Sequence, residues 1–268
     1  MENSLSVSII LPIKSSKTKD FADFFKKAID SINNQVRQIN ELVIVHTAEE
    51  SLITFLNDFD FGQLNVSKLL WDKTANYCDQ VNFGITNAKS EWVSLFEFDD
   101  EYSPIWFKNV EKYIKAYPNT QMFLPVVVET DDKGAFAGFT NEATFAANFA
   151  QEMSILTNEI LHDYQNFQTA GSVFKKTIID DFGGFKPSMK LTFVYEFLLR
   201  MTYNSVNIMS IPKLGYKHVN LREGSIFWNY KYGSEPLLDE EVKFWVDTAK
   251  KEYFFTSDRA IKYESIKE

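Results

Sequence analysis

A single cysteine, Cys78, stands among 268 residues. That excludes an internal disulfide and any zinc site built from several thiolates, and it leaves Cys78 to read as a small semi-buried side chain. Glycine is also sparse, ten in all, and none falls in PIKSSKTKD, the loop after the first apolar run. A glycine-rich phosphate cradle is therefore missing there, and a nucleotidyltransferase reading has no support. Basic residues are outnumbered, 28 Lys and Arg against 37 Asp and Glu, for a net charge of −9. The deficit is even, 12 against 17 in residues 1–120 and 16 against 20 in the remainder, so neither half is a basic arm. Non-specific capture of nucleic acid, which needs counterion release by Lys and Arg, is excluded, and an anionic ligand must be held by something other than bulk charge. No apolar run approaches the ~18 residues of a membrane span. The start, MENSLSVSIILPIKSS, has no basic residue before its short apolar run, which Pro12 breaks, so it is not a signal peptide and a cytoplasmic location is expected.

What is abundant is aromatic: 16 % of the chain, with 25 Phe, enough with Ile, Leu and Val for a sizeable core. In the first half, strand and helix signals alternate. Short β-branched or apolar runs at 6–12, 41–46, 66–71 and 91–98 read as strands. Between them, residues 21–35 carry Phe21, Phe24, Phe25, Ala28, Ile29 and Ile32 at helical spacing behind Asp20 as N-cap, 50–58 form a short helix, and 75–88 show Val81, Ile85 and Ala88. Ser103-Pro104 opens a further helix with a hydroxyl cap and Pro at its first position. Alternation of this kind predicts an α/β fold with a mostly parallel sheet covered on both faces, and ligands beyond the carboxyl ends of its strands.

The second half is less regular. A strand is expected at 121–130, a helix at 142–161, a short strand at 171–175, a helical turn ended by a Gly pair at 177–185, a helix at 192–203 and one or two short strands around Pro212 in 206–219. An amphipathic helix at 236–255 and a charged tail close the chain. With no repeat or linker, this reads as a single domain of two lobes, residues 1–120 and 121–235, followed by the helix and tail at 236–268.

The sharpest local feature is LFEFDDEYSP, where a buried strand runs into Glu97, Asp99, Asp100 and Glu101. Strand alternation puts Glu97 and Asp99 on one side. Carboxylates at a strand end suit a hard divalent cation that bridges to a diphosphate and neutralises a leaving phosphate. The same residues also suit a solvated loop and a cap for the next helix.

The order of these segments resembles the N-terminal part of a GT-A fold glycosyltransferase of family 2. VSIILP is similar to that family's first strand, AIDSINNQ (Ser31, Gln35) to its following helix, ELVIV to its second strand, and VNFGITNAKSEWVSLFEFDDEYSP to its Asn-x-Gly-Ile, strand and Asp-x-Asp-Asp stretch, here Asn82, Gly84, Ile85, Glu97, Asp99, Asp100 and Pro104. More loosely, AGSVFKKTIIDDFGGF, YEFLLRM and KHVNLREGS resemble the later family segments. The resemblance implies a nucleotide-sugar-binding first lobe and an acceptor-binding second lobe. It implies an inverting, metal-dependent transfer of a sugar from a nucleoside diphosphate sugar to the hydroxyl of a glycan or other acceptor. Asp99 would bind the cation, Mn²⁺ or Mg²⁺, and His218 falls where some GT-A enzymes place a further ligand; the alternative for His218 is a strand histidine hydrogen-bonded to a neighbour. Pro12, His46, Asn82, Glu97 and Asp100 would line the donor.

Three departures from the family pattern stand out. His46-Thr47-Ala48-Glu49 replaces the aspartate that usually contacts the base, and Val81 stands where an Arg precedes the Asn. Phe193-Val194 stands where Glu-Asp would supply the general base. Glu196 is the nearest acidic substitute, but two helical residues are ~200° apart, and it has a structural alternative as the i+4 partner of Arg200. Asp180 and Asp181 read as solvated turn residues. Trp106, Trp228, Tyr230 and Tyr232 are candidates for a sugar-facing wall, with SIFWNYKYG at 225–233 foremost, against the alternative that they are core. A catalytically degenerate carbohydrate- or nucleotide-binding relative on the same scaffold is the competing function.

Overall fold

The computed structural model describes residues 5–74, 76–142, 154–220, 222–234 and 236–257. Within these, the first half follows the alternating order: β1 (Val7–Ile13), α1 (Phe21–Asn33), β2 (Glu41–Thr47), α2 (Glu50–Asp58), β3 (Val66–Trp71), α3 (Tyr77–Asn87) and β4 (Trp92–Leu95). Strands β3, β2, β1 and β4 lie side by side and parallel. They are parallel because each is separated from its neighbour by a crossover helix, and β1, β2 and β4 are apolar because both faces are covered.

The rest is β5 (Glu101–Tyr102), α4 (Trp106–Ala116), β6 (Met122–Thr130), β7 (Phe136–Thr140), β8 (Ile155–Leu156), α5 (Asn158–Asp163), β9 (Val173–Lys175), α6 (Thr177–Phe182), α7 (Phe193–Tyr203), β10 (Ile208–Val219), α8 (Ile226–Tyr232) and α9 (Asp239–Glu252), with a 3₁₀ turn at Pro187–Thr192 before α7. The described strands form one sheet, ordered β3-β2-β1-β4-β9-β6-β10-β5, with β7 on β6 and β8 on β10. β9 enters antiparallel between β4 and β6, and β5 returns antiparallel on β10. The fold is therefore the expected α/β arrangement, a large mostly parallel sheet flanked by helices.

Several local expectations change. β1 continues through Pro12 to Ile13, in register with Val45 and His46. Pairing with β4 stops at Ile10, so one side of Pro12 has no ladder to interrupt. Asp20 does not cap α1; it sits at φ 58 with no side-chain cap bond, and the carbonyl of Thr18 accepts from Phe21. α4 begins after Ile105 rather than at Pro104, because Ser103 and Pro104 form the turn that precedes it. Segment 206–219 is one long strand with register shifts around Leu214. Residues 143–153 of the helix expected at 142–161 lie outside the described residues, and β8 and α5 occupy the part that follows. No helix among the described residues is long and apolar enough to cross a membrane.

Two motif residues serve packing. Gly84 lets α3 lie on the sheet, since a Cβ there would meet Ile10 Cγ2 at 2.6 Å. Gln35 donates to the carbonyls of Ser31 and Ser103 at 3.0 and 2.9 Å, tying α1 to the segment that leads into α4.

Candidate functional site

A cleft of about 890 Å³ opens at the carboxyl ends of β1 and β4. Its walls are the loop after β1 (Lys14, Ser15, Lys17, Thr18, Lys19), the start of α3 (Asn76, Tyr77, Gln80), the turn after β4 (Glu97, Phe98, Asp99), the end of β10 (His218, Val219, Asn220), the following loop (Arg222 to Ser225) and the start of α7 (Phe193, Val194, Tyr195). Asn76 caps α3, accepting from the amides of Cys78 and Asp79, and so fixes the α3 wall.

The acidic turn is held by its aromatic residues. β4 ends at Leu95, earlier than its sequence suggests, and the chain turns with Asp100 N–H donating to the Glu97 carbonyl. Phe96 is buried and stacks on Tyr102 at 4.6 Å, while Phe98 packs on Phe21 at 4.9 Å. With the phenylalanines anchored inward, Glu97 and Asp99 face the cleft and Asp100 points back into the protein.

Both aspartates then meet a cation. Asp100 is fully buried; it accepts the amide of Val219 at 2.9 Å and lies 3.0 and 3.1 Å from His218 Nδ1. Arg222 Nε donates to Asp99 Oδ2 at 2.5 Å, its guanidinium lies 4.7 Å over the Phe98 ring, and Nη1 donates to the Glu223 carbonyl at 3.0 Å. Asp99 Oδ1 is buried and, among the described residues, has no hydrogen-bond partner.

The electrostatics follow. Burial, with the charge of Asp100 adding to it, pushes Glu97 up to about 8. Burial and Asp100 likewise raise Asp99, against the opposing pull of Arg222. Burial alone would lower His218, but the charge and hydrogen bonds of Asp100, helped by Glu97 and Asp99, lift it to about 10. Burial holds the phenol of Tyr77 well above its ordinary value, with Glu97 contributing.

Of the residues expected from sequence, Pro12, Glu97, Asp99 and His218 share this cleft, and Asp100 stands directly behind His218. Three do not reach it. His46 is buried, with Nδ1 2.9 Å from the Thr47 carbonyl. The β2 end acts instead through Glu49, which accepts from Ser15 Oγ, Ser51 Oγ, Ser16 Oγ and Ser16 N at 2.6, 2.7, 2.8 and 3.1 Å and so fixes the loop that lines the cleft. Burial opposes its ionisation, but the four hydrogen bonds together outweigh it and hold the carboxyl down at about 2.

Asn82 is a clamp rather than a donor contact: its side chain donates to the carbonyl of Phe185 at 2.8 Å and accepts from the amide at 2.9 Å. Gly184 permits that approach, since a Cβ would lie 2.2 Å from Asn82 Oδ1.

Glu196 is also turned away, and a catalytic role through direct contact does not fit its position. It is fully buried; Oε1 accepts from Lys186 Nζ at 2.7 Å and Arg200 Nε at 2.9 Å, and Oε2 from Arg200 Nη2 at 3.0 Å. Arg200 also donates to the carbonyls of Phe182, Gly183 and Gly184 at 2.5, 2.8 and 2.7 Å. The side chain that does face the cleft from the start of α7 is Val194, beside Phe193.

The aromatic wall is partly as expected. Residues 225–233 form α8, from which Ile226, Phe227 and Tyr230 line the cleft. Trp228 and Tyr232 do not line it, and Trp106 is core, donating from Nε1 to the Gly171 carbonyl at 3.0 Å. Asp180 and Asp181 are exposed on α6. Sequence reasoning missed the cations: Lys14, Lys17 and Lys19 are exposed at the cleft, and Arg222 lies inside it. For the lysines the signal was the basic character of KSSKTK directly after a strand.

The residues present fit a divalent cation. Asp99 Oδ1 is a buried hard oxygen lacking a partner among the described residues; His218, held through Nδ1 by Asp100 and raised to about 10, would have to give up its Nε2 proton to ligate. No group of three His, Cys, Asp or Glu side chains among the described residues gathers to hold a metal unaided. A cation here would need further ligands from whatever occupies the cleft.

The chain resembles solved structures of TarS from S. aureus. The complex of TarS 1-349 with UDP-GlcNAc aligns with a TM-score of 0.66 at 15% identity, over 91% of this chain and 65% of that one. The complex with UDP gives 0.61 at 15% identity, over 80% and 60%. A further TarS structure gives 0.60 at 15% identity, over 93% and 44%. At these identities the likeness is one of fold, and the chain spans less than two thirds of each neighbour. No curated protein matches the sequence. The family model "Glycosyl transferase family 2" matches residues 8–182; that stretch holds all but the first residue of β1, then β2 to β4, Asn82 and the acidic turn, and the chain belongs to this family.

Proposed function

We propose that the cleft binds a nucleoside diphosphate sugar and transfers the sugar to an acceptor hydroxyl in one inverting displacement, with Mn²⁺ or Mg²⁺ bound by Asp99 and His218. The observation that carries this reading is Asp99 Oδ1, a buried carboxylate oxygen without a partner, in a cleft shared with His218. When bound, the cation neutralises charge on the departing diphosphate. Asp100 orients His218 through Nδ1, and Lys14, Lys17 and Lys19 attract the anionic donor to the rim. Ser15, held by Glu49, fixes the β1 side. Phe193, Phe227 and Tyr230 offer apolar and aromatic surface to the sugar or acceptor. The likeness to TarS bound to UDP-GlcNAc supports a UDP-sugar as the first donor to test.

Val194 on the cleft wall favours a second reading. Without a carboxylate at that point, the chain would be a binding relative that holds a nucleotide or carbohydrate and does not turn over. Calorimetry with UDP-GlcNAc and Mn²⁺, alongside donor hydrolysis, separates the two. Transfer requires binding and slow hydrolysis in the native chain, both lost in Asp99→Asn. Binding without hydrolysis selects the second reading, and absence of binding removes both.

A further inference from the structure

The pairing of Arg222 with Asp99 is half made. A guanidinium facing a carboxylate can form two parallel hydrogen bonds. Here Nε reaches Oδ2 alone, and Oδ1 stays buried and unpartnered. Arg222 is nevertheless held firmly: it is 8 % exposed, lies over Phe98, and donates from Nη1 to the Glu223 carbonyl. It also lines the same cleft as Lys14, Lys17 and Lys19. The site thus carries its own cation on the carboxylate that a divalent cation needs, in an arrangement that leaves one oxygen unsatisfied.

We propose that Arg222 is a built-in counter-cation that keeps a divalent cation off Asp99 until a diphosphate arrives, and then transfers its guanidinium to that diphosphate. A divalent cation arriving alone meets a positive charge already seated on Asp99, and displacing it strands a buried guanidinium. A diphosphate removes that obstacle, because its oxygens offer the planar fork a two-pronged partner that Asp99 does not. Cation and diphosphate therefore bind as a coupled pair. By linkage, Arg222 weakens the first and strengthens the second. This inference rests on the reading of the cleft as a donor site.

The test uses the full chain without nucleotide. Binding of Mn²⁺ alone is followed by electron paramagnetic resonance of the free ion. Binding of inorganic pyrophosphate, the group shared by all nucleoside diphosphates, is followed by calorimetry. Thermal melts check that each variant is folded. Arg222→Gln is expected to bind Mn²⁺ alone roughly tenfold more tightly and pyrophosphate roughly tenfold more weakly, within the usual range of coupling between sites. Arg222→Lys, which keeps the charge but not the fork, is expected to hold Mn²⁺ affinity near the native value while still losing pyrophosphate affinity, and it carries the test if the Gln variant does not fold. Adding Asp99→Asn to Arg222→Gln should remove the gain in Mn²⁺ binding. The opposite signs are what a merely structural arginine would not produce. Unchanged or weaker Mn²⁺ binding in a folded Arg222→Gln overturns the proposal while leaving the donor site standing. Failure of Mn²⁺ with pyrophosphate to bind even the native chain overturns both.

Discussion

Glu196→Gln separates a catalytic carboxylate from a scaffold one. Glutamine has the shape of glutamate but one acceptor oxygen in place of two, and no charge. Glu196 receives three hydrogen bonds from two buried cations, Lys186 Nζ and Arg200 Nε on Oε1 and Arg200 Nη2 on Oε2. In the variant one oxygen continues to accept, while the amide NH₂ is forced against a donor, either Lys186 or the guanidinium. Breaking one side of a buried ion pair costs about 3–5 kcal/mol. Two features place this case at about 3 kcal/mol, the lower end of that range. Arg200 keeps three backbone carbonyls, from Phe182 to Gly184. Lys186 Nζ keeps its hydrogen bond to the Glu252 carbonyl at 2.8 Å.

Urea unfolding of the native chain and the variant measures the loss. Donor hydrolysis, corrected for the folded fraction, reads the chemistry. A scaffold role predicts a lowered unfolding midpoint with turnover per folded molecule within a few-fold of native. A general base predicts the reverse, an undisturbed midpoint and a ~10²–10⁴-fold loss of turnover. A variant as stable as the native chain yet inactive would refute the reasoning.

Two further perturbations address the cleft. Glu49→Gln weakens the tie between the β1 loop and the β2 end, at about 1 kcal/mol after discounting for solvent contact. Glu49 is held at about 2, below its ordinary 4.5, so its contribution is complete above about 4.5 and is lost as pH falls through about 2. Thermal melts should show the gap between native and variant at pH 6 closing toward pH 2, and a gap that widens in acid would contradict the assignment. Val194→Asp puts a carboxylate on the cleft wall. If acceptor activation is the missing element, kcat for transfer rises about tenfold or more with KM for the donor unchanged, as a positioned base would give. Unchanged turnover places the base on another residue.

The first half of the fold was legible because buried parallel strands are continuous runs of Val, Ile and Leu, and the helices between them show their apolar face at 3.6-residue spacing. The antiparallel entry of β9 between β4 and β6 was not legible. It pairs Val93 with Phe174, a contact set by the closing of the whole sheet, and β9 itself is only three residues long. At the site, the acids were legible because they are contiguous in sequence, and His218 because its segment has a family likeness. That Asp100 would turn inward while Glu97 and Asp99 face the cleft depended on where Phe96 and Phe98 anchor. Asn82 was expected to line the donor and Gly84 stood out as a motif residue, but the work of both is packing: one clips Phe185 and the other admits Ile10. Arg222 carries no spacing signal; it becomes visible only when β10 delivers its loop opposite the acidic turn.

The net charge of −9 therefore says little about the cleft. The fold pairs three of its interior carboxylates with cations: Asp99 with Arg222, Asp100 with His218, Glu196 with Lys186 and Arg200. An unpaired buried charge is costly, so this pairing is what allows an acidic turn to sit at the end of a buried sheet. It also means that the carboxylates do not add up to a preformed cation cage, which accords with no trio of potential ligands gathering among the described residues. With three lysines at the rim and Arg222 within, the cleft is arranged to receive an anion first. On the proposed reading, Asp99 Oδ1, buried and without a partner among the described residues, would become a cation site when that anion supplies the remaining ligands and draws Arg222 away. Metal dependence, on the proposed reading, would be a property of the donor-bound protein and not of the chain alone.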